Sequence, residues 1–299
     1  MENTILSTKN LSKRFGPIKA VNNLNLDVPE NSVFGILGPN GSGKTTTLGM
    51  VVDLVRQTSG SYTWFGQSPG AGLRRQIGTI IESPYFYPYL SAVQNLRIIA
   101  DIKKTPHLQI NEVLKTTSLL ERKNSKFRTF SLGMKQRLAI AAALLGKPKV
   151  LILDEPTNGL DPRGIAEIRE MILKIAGRGI TIILASHLLD EVQKVCTHVA
   201  VLSKGNLLDS GRVDRVLTGA KLIEIAAENK NGLKLAMEKF NWIEKASEEN
   251  GIFVIQVPDE YAAANINRAF YEKGFVLNHL NERKSSLENY FLKILKDSE

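Results

Sequence analysis

The residues from Gly38 to Thr45 read Gly-Pro-Asn-Gly-Ser-Gly-Lys-Thr and match the pattern G-x-x-x-x-G-K-[ST]. Chemistry explains the spacing. Gly38, Gly41 and Gly43 let the backbone curl so that its N–H groups point inward at phosphate oxygens, with Pro39, Asn40 and Ser42 between them. A helix starting near Lys44 would add the positive end of its dipole. Lys44 is placed to reach β and γ phosphates, and Thr45 to offer its hydroxyl to Mg²⁺, a hard cation that prefers oxygen ligands. Further on, the apolar run Val150 to Leu153 ends in Asp154 and Glu155. Two acids at a strand end are, alone, more often a solvated turn. With a phosphate cradle in the same chain, Asp154 is expected to hold Mg²⁺ through water and Glu155 to polarise an attacking water, because phosphoryl transfer needs a positioned nucleophile and neutralised charge.

Those residues need a scaffold that brings them to one edge. Up to about Gly219, β-rich runs alternate with helical patterns, with strands expected at Val33 to Leu37, Ile77 to Ile81, Lys149 to Leu153, Ile180 to Ala185 and His198 to Leu202. This alternation implies an α/β core, and the nearly continuous apolar runs suit parallel strands covered on both faces. A strand before Gly38 and a helix after it is the setting that the cradle requires. Between Glu82 and Phe130 the β signal fades, with helices expected at about Ser91 to Ile102 and Asn111 to Leu120. Ser91 with Gln94 reads as a capping box, and Thr105-Pro106 separates the two helices. This gives a helical insertion at about 83–140. From 220 to 299 the order is strand at Leu222 to Ala226, helix at Gly232 to Phe240, strands near Trp242 and at Ile252 to Val257, helix at Glu260 to Tyr271, strand at Phe275 to Leu280, and a last helix capped by Ser285 with Glu288. That βαββαβ order resembles a small ferredoxin-like α+β domain.

The chain has 299 residues, which favours one large domain (1–219) and one small domain (220–299). Cys196 is the only cysteine, which excludes an intramolecular disulfide framework and fits a reducing compartment. The Met1 to Lys13 stretch alternates apolar and polar residues, so no cleaved leader is expected. Its apolar runs fall far short of the roughly 20 residues that span a bilayer, so any membrane role requires a partner. The net charge of +9 permits a polyanionic ligand, but Lys and Arg are scattered rather than massed, and nucleic acid is not expected as a partner.

The segment between these motifs narrows the class. Phe130-Ser131-Leu132-Gly133-Met134-Lys135-Gln136-Arg137 resembles the signature motif of ABC ATPases, usually Leu-Ser-Gly-Gly-Gln; Ser131 and Gly133 match, whereas Phe130, Leu132 and Met134 depart from it. Asn158-Gly159-Leu160-Asp161 is similar to the family's D-loop, His187 to its switch histidine, and Phe15 to the aromatic residue that stacks on adenine. The resemblance covers Met1 to about Gly219. It implies a P-loop ATPase core with an antiparallel β subdomain, ATP and Mg²⁺ as ligands, and ATP hydrolysis by Lys44, Glu155 and His187. Thr46 joins the cradle residues as an implied nucleotide contact, as does Asp161. Where the family has glutamine at the end of strand Ile77 to Ile81, this chain has Glu82, which is expected to ligate Mg²⁺ or accept from water while adding negative charge. Glu82, the divergent signature and the aromatic run Pro84 to Tyr89 together resemble the bacitracin-resistance and lantibiotic-immunity branch.

In this family two such domains pair head to tail, so the resemblance implies a second ATPase subunit, a homodimer. Ser131 Oγ and the Gly133 N–H would then meet the γ-phosphate of the nucleotide bound opposite. A separate membrane-spanning permease is implied as well, with this chain peripheral on its cytoplasmic face. Its work would be export of a peptide antibiotic or another amphipathic compound. Ribosome or nucleic-acid clamps of the same family usually carry two cassettes or a long coiled coil; this sequence has one cradle and no sustained heptad run. Retention of Lys44, Thr45, Asp154, Glu155 and His187 argues against an inactive nucleotide sensor. Pro84, Tyr85, Phe86, Tyr87, Pro88 and Tyr89 cannot alternate as a strand or continue a helix, so some of these aromatics are expected to stay exposed as a socket for the membrane subunit.

Overall fold

A computed structural model describes residues 3–81, 85–217, 221–249, 251–258, 260–283 and 286–297. The chain begins with two long antiparallel strands, β1 (Thr4–Phe15) and β2 (Ile18–Pro29), followed by β3 (Val33–Leu37), helix α1 (Lys44–Val51), β4 (Ser59–Trp64), α2 (Ala71–Arg74) and β5 (Ile77–Ile80). Helices α3 (Ala92–Lys103), α4 (Leu108–Thr116) and α5 (Leu132–Leu144) come next. Then come β6 (Val150–Asp154), α6 (Pro162–Ala176), β7 (Thr181–Ser186), α7 (Leu189–Val195), β8 (His198–Ser203), β9 (Asn206–Arg212) and α8 (Val213–Leu217).

Among the described residues these strands form two sheets. β2-β1-β4 form an antiparallel sheet, and β5-β6-β7-β3-β8-β9 form a six-stranded sheet that is parallel except at the β8–β9 edge. One apolar core draws on both: Leu6, Leu11, Leu24 and Trp64 from the first sheet, Phe34, Ile36, Ile152 and Ile183 from the second, and Leu48 and Met50 from α1. β6 and β7 are buried along their whole length, which is why they read as unbroken apolar runs rather than alternating ones.

Order within the parallel sheet positions the chemistry. β6, β7 and β3 are adjacent, and their register pairs Asp154 with Ala185 and Leu37 with Ser186. The segments leaving their carboxyl ends carry Glu155, His187 and Gly38, so residues more than a hundred positions apart emerge side by side, as ligand-binding residues do in open α/β sheets.

The helical region differs in detail from the sequence reading. Ser91 does form a reciprocal capping box with Gln94 at the start of α3. The second helix, expected at Asn111 to Leu120, instead runs from Leu108 to Thr116. It stops before Ser118, whose backbone is left-handed at φ 54°, a conformation that no helix continues through. Leu120–Arg122 is a separate 3₁₀ turn.

The contacts divide the chain into two compact units, one ending at Val213 and one from Asp214 to Asp297. The 219/220 boundary drawn from sequence lies among residues 218–220, outside the described residues. The second unit contains β10 (Lys221–Ala227), α9 (Lys230–Met237), β11 (Lys245–Glu249), β12 (Ile252–Val257), α10 (Ala263–Glu272), β13 (Leu277–Arg283) and α11 (Leu287–Asp297). Its antiparallel sheet has the order β11-β12-β10-β13, the ferredoxin-like arrangement of a βαββαβ chain. The strand expected near Trp242 begins three residues later. Trp242 is not in the sheet because its ring packs in a cluster with Phe240, Tyr261 and Phe270. The cap of α11 is Ser286, whose Oγ accepts from Asn289 N at 3.2 Å; Ser285 lies outside the described residues.

Candidate functional site

The loop from Gly38 to Gly43 joins β3 to α1, and its glycines are there for space. A Cβ on Gly43 would sit 2.5 Å from the Ala20 carbonyl, and Gly43 itself has φ 105°, so no other residue fits this N-cap without strain. The first turn of α1 has no side-chain cap and no acidic residue, which leaves its N–H groups available to an anion. Inside the loop, Ser42 Oγ is buried without a hydrogen-bond partner. Lys44 is buried too; its Nζ donates to Gly38 O at 2.8 Å and to Pro39 O at 3.3 Å and lies 3.5 Å from Glu155 Oε1. Thr45 is exposed and Thr46 partly so.

Asp154 ends β6 and is buried. Glu155 follows it with φ 47°, left-handed backbone in a non-glycine residue, held there by the bond from its N–H to Ala185 O at 3.0 Å. Such a conformation costs on the order of 1–3 kcal/mol and persists only where surrounding contacts impose it. The turn aims the carboxylate between two partners: Lys44 on one side and, on the other, His187 Nδ1 at 2.8 Å from Oε2. Ser186, which sequence reasoning passed over, shapes the turn that presents His187, since its Oγ accepts from Leu188 N at 3.0 Å. A serine directly before the histidine, able to close a turn on the N–H two residues on, was the available signal.

Ser131 is the N-cap of α5, its Oγ accepting from Met134 N at 3.3 Å. Asp161 caps α6 through Gly164 N at 2.8 Å, with Pro162 at the first helical position. These two starts adjoin: the Gly159 Cα faces Leu132 Cδ2, and Gly133 faces Leu160 Cδ2. Phe15, at the end of β1, is half exposed with Lys13 Nζ 4.8 Å above its ring, so it is not the core residue that an isolated phenylalanine usually is. The structure thus brings Lys44, Glu155 and His187 into direct contact and Ser131, Gly133 and Asp161 into a second group. Glu82 lies outside the described residues.

A parallel sheet with a glycine loop and helix after one strand, and two carboxylates after the next strand but one, defines the class as a P-loop nucleotide hydrolase. Comparison narrows it further. Residues 21–158 match the family model of the ABC transporter. The bacitracin transport ATP-binding protein BcrA of Bacillus licheniformis is 39% identical over 303 residues, covering 98% of this chain and 97% of that protein. Among solved structures, cbiO1 of Clostridium perfringens, part of an ABC transporter complex, is 31% identical with a TM-score of 0.67 over 73% of this chain and 92% of its own. A dimeric bacterial ABC transporter cassette is 25% identical with a TM-score of 0.64, over 70% of this chain and 99% of its own. The chain therefore belongs to the ABC transporter family and is an ATP-binding, ATP-hydrolysing subunit. No helix among the described residues is long and apolar enough to cross a membrane.

Proposed function

We propose that this chain powers the export of a peptide antibiotic or similar amphipathic compound, acting on the cytoplasmic face of the membrane subunit. The observation that carries the energetic half of this reading is Glu155, strained at φ 47° and held between Lys44 and His187. The similarity to a bacitracin transport ATPase along 98% of the chain supports the cargo.

Glu155 is the group that takes a proton from the attacking water, and His187, through its 2.8 Å bond to Oε2, fixes the plane of that carboxylate. Lys44 exchanges its carbonyl partners for phosphate oxygens, which the buried Ser42 hydroxyl and the N–H groups of the α1 start also meet. Gly38, Pro39, Asn40, Gly41, Gly43 and Thr46 complete the cradle, and Phe15 stacks on adenine. Thr45 and Asp154 are oxygen donors suited to Mg²⁺, with Glu82 proposed as a third. Among the described residues no cluster of three or more His, Cys, Asp or Glu could hold a metal alone, which suits an ion shared with phosphate oxygens. When bound there, Mg²⁺ neutralises charge developing on the phosphoryl oxygens.

Two copies pairing head to tail would place Ser131, Gly133 and Asp161 of each chain against the nucleotide of the other; the dimeric cassette that this chain resembles supports that pairing. The reading is tested in cells producing this chain with its membrane subunit. Export of a labelled bacitracin-type peptide should require both, and peptide efflux that persists without this chain would overturn the assignment.

A further inference from the structure

Helix α6 is gripped on two sides by ion pairs, and these join elements that carry different parts of the site. Toward α5, Arg137 Nη1 lies 3.4 Å from Glu167 Oε2, while Arg163 Nε holds the other oxygen of that carboxylate at 3.2 Å. Toward α7, Arg169 Nη1 donates to Glu191 Oε2 at 2.8 Å, and Lys194 Nζ donates to Glu191 Oε1 at 2.9 Å. Glu167 and Arg169 are two residues apart, roughly 200° around the helix, so the two pairs leave α6 in nearly opposite directions.

The α7 side is the informative one. Behind the loop that bears Glu155, α6 and α7 leave a cavity of about 20 Å³, room for about one water, walled by Thr157, Ser186, Ile172, Val192 and the Arg169–Glu191 pair. Thr157 is two residues beyond Glu155, and Ser186 directly precedes His187. Apolar packing is therefore incomplete at the place where these two loops must keep their relative position, and the directional contact across the gap is the ion pair. Its side chains are 27% and 19% exposed, so it is shielded enough from solvent to hold its geometry.

We propose that Arg169 and Glu191 are positioning residues for hydrolysis: their bond fixes α7, and with it His187, against α6, while Arg137 and Glu167 tie α6 to the helix that Ser131 caps. α6 then links the signature helix to the Glu155–His187 pair within one chain. Neither side chain of the pair acts on nucleotide directly; both act through His187. The inference rests on Glu155 and His187 being the hydrolytic pair.

The test uses steady-state phosphate release by the full chain, with ATP concentration varied, for R169M, E191Q, the double variant and R169K. Each single loss should lower kcat about tenfold while KM for ATP stays within about twofold, because the cradle lysine bonds to Gly38 O and Pro39 O and faces Glu155, not Arg169 or Glu191. The double variant should be no slower than either single one, which is the mark of one shared interaction. R169K, which keeps a charge for what is a single hydrogen bond, should recover most of the rate and remains informative if R169M folds poorly. Multiplicative losses in the double variant, a rise in KM at constant kcat, or equal damage from R169K and R169M would overturn the proposal. E155Q is run beside them: normal turnover there refutes the hydrolytic pair itself, whereas an inactive E155Q with undiminished R169M and E191Q refutes only the positioning role.

Discussion

Lys44 is a buried ammonium that donates hydrogen bonds to two backbone carbonyls and stands 3.5 Å from Glu155 Oε1. An ammonium so placed gains strongly from phosphate oxygens, which supply both charge and short hydrogen bonds. Lys44→Ala should therefore weaken ATP binding by at least about tenfold, read by titration with a fluorescent ATP analogue. Unchanged affinity would remove Lys44 from the cradle. At Glu191, burial pushes the carboxyl's pKa up, but the hydrogen bonds and charges of Lys194 and Arg169 outweigh this and hold it below its usual value. Its stabilising contribution is accordingly present above the ordinary carboxylate range and lost as pH falls through the lowered folded-state pKa. Melting temperatures of the wild type and Glu191→Gln should differ most near neutrality and converge in acid; a constant gap would show that this ionisation does not matter to stability. The residues of the cradle and the acid pair were legible because their spacing is local and their flanking strands are apolar. The φ of 47° at Glu155 and the Arg169–Glu191 bond were not, since each is imposed by segments distant in sequence.

At the scale of elements, the described part of the loop between β5 and α3 exposes three large aromatics within five residues. Tyr85, Tyr87 and Tyr89 are 93%, 50% and 63% exposed, whereas Phe86 turns inward with its ring 5.1 Å from Phe127. Buried Asn95 pins the loop by accepting from Tyr87 N at 2.8 Å and donating to Tyr87 O and Ser91 O. The aromatics are thus displayed on a fixed support, which suits contact with another protein at low conformational cost. Pro84 lies outside the described residues. Changing Tyr85 and Tyr87 to Ala should leave basal ATP hydrolysis within about twofold of normal and abolish its stimulation by the reconstituted membrane subunit. Stimulation that survives would assign these rings elsewhere. Strand existence was readable from apolar runs, but helix limits were not: α4 ends early at a left-handed serine, and β11 starts late because Trp242 is drawn into an aromatic cluster. The first is a local backbone turn and the second a tertiary contact that overrides local pattern.

For the molecule as a whole, the residues proposed for nucleotide chemistry lie in the unit ending at Val213, while the second unit has its own core built on Ile223, Ile255, Leu233 and Phe270. A separate core implies independent folding. Truncation near Gly219 should therefore preserve ATP affinity while changing regulation or pairing of the ATPase; a well-folded truncated chain that no longer binds ATP would contradict this. Hydrolysis is expected to depend most on Glu155. Steady-state phosphate release by the pure chain should occur in the wild type and fall by about a hundredfold or more in Glu155→Gln, with ATP affinity unchanged, because the amide keeps the shape but cannot accept a proton. Near-normal turnover in that variant would show that Glu155 is not the group that activates water.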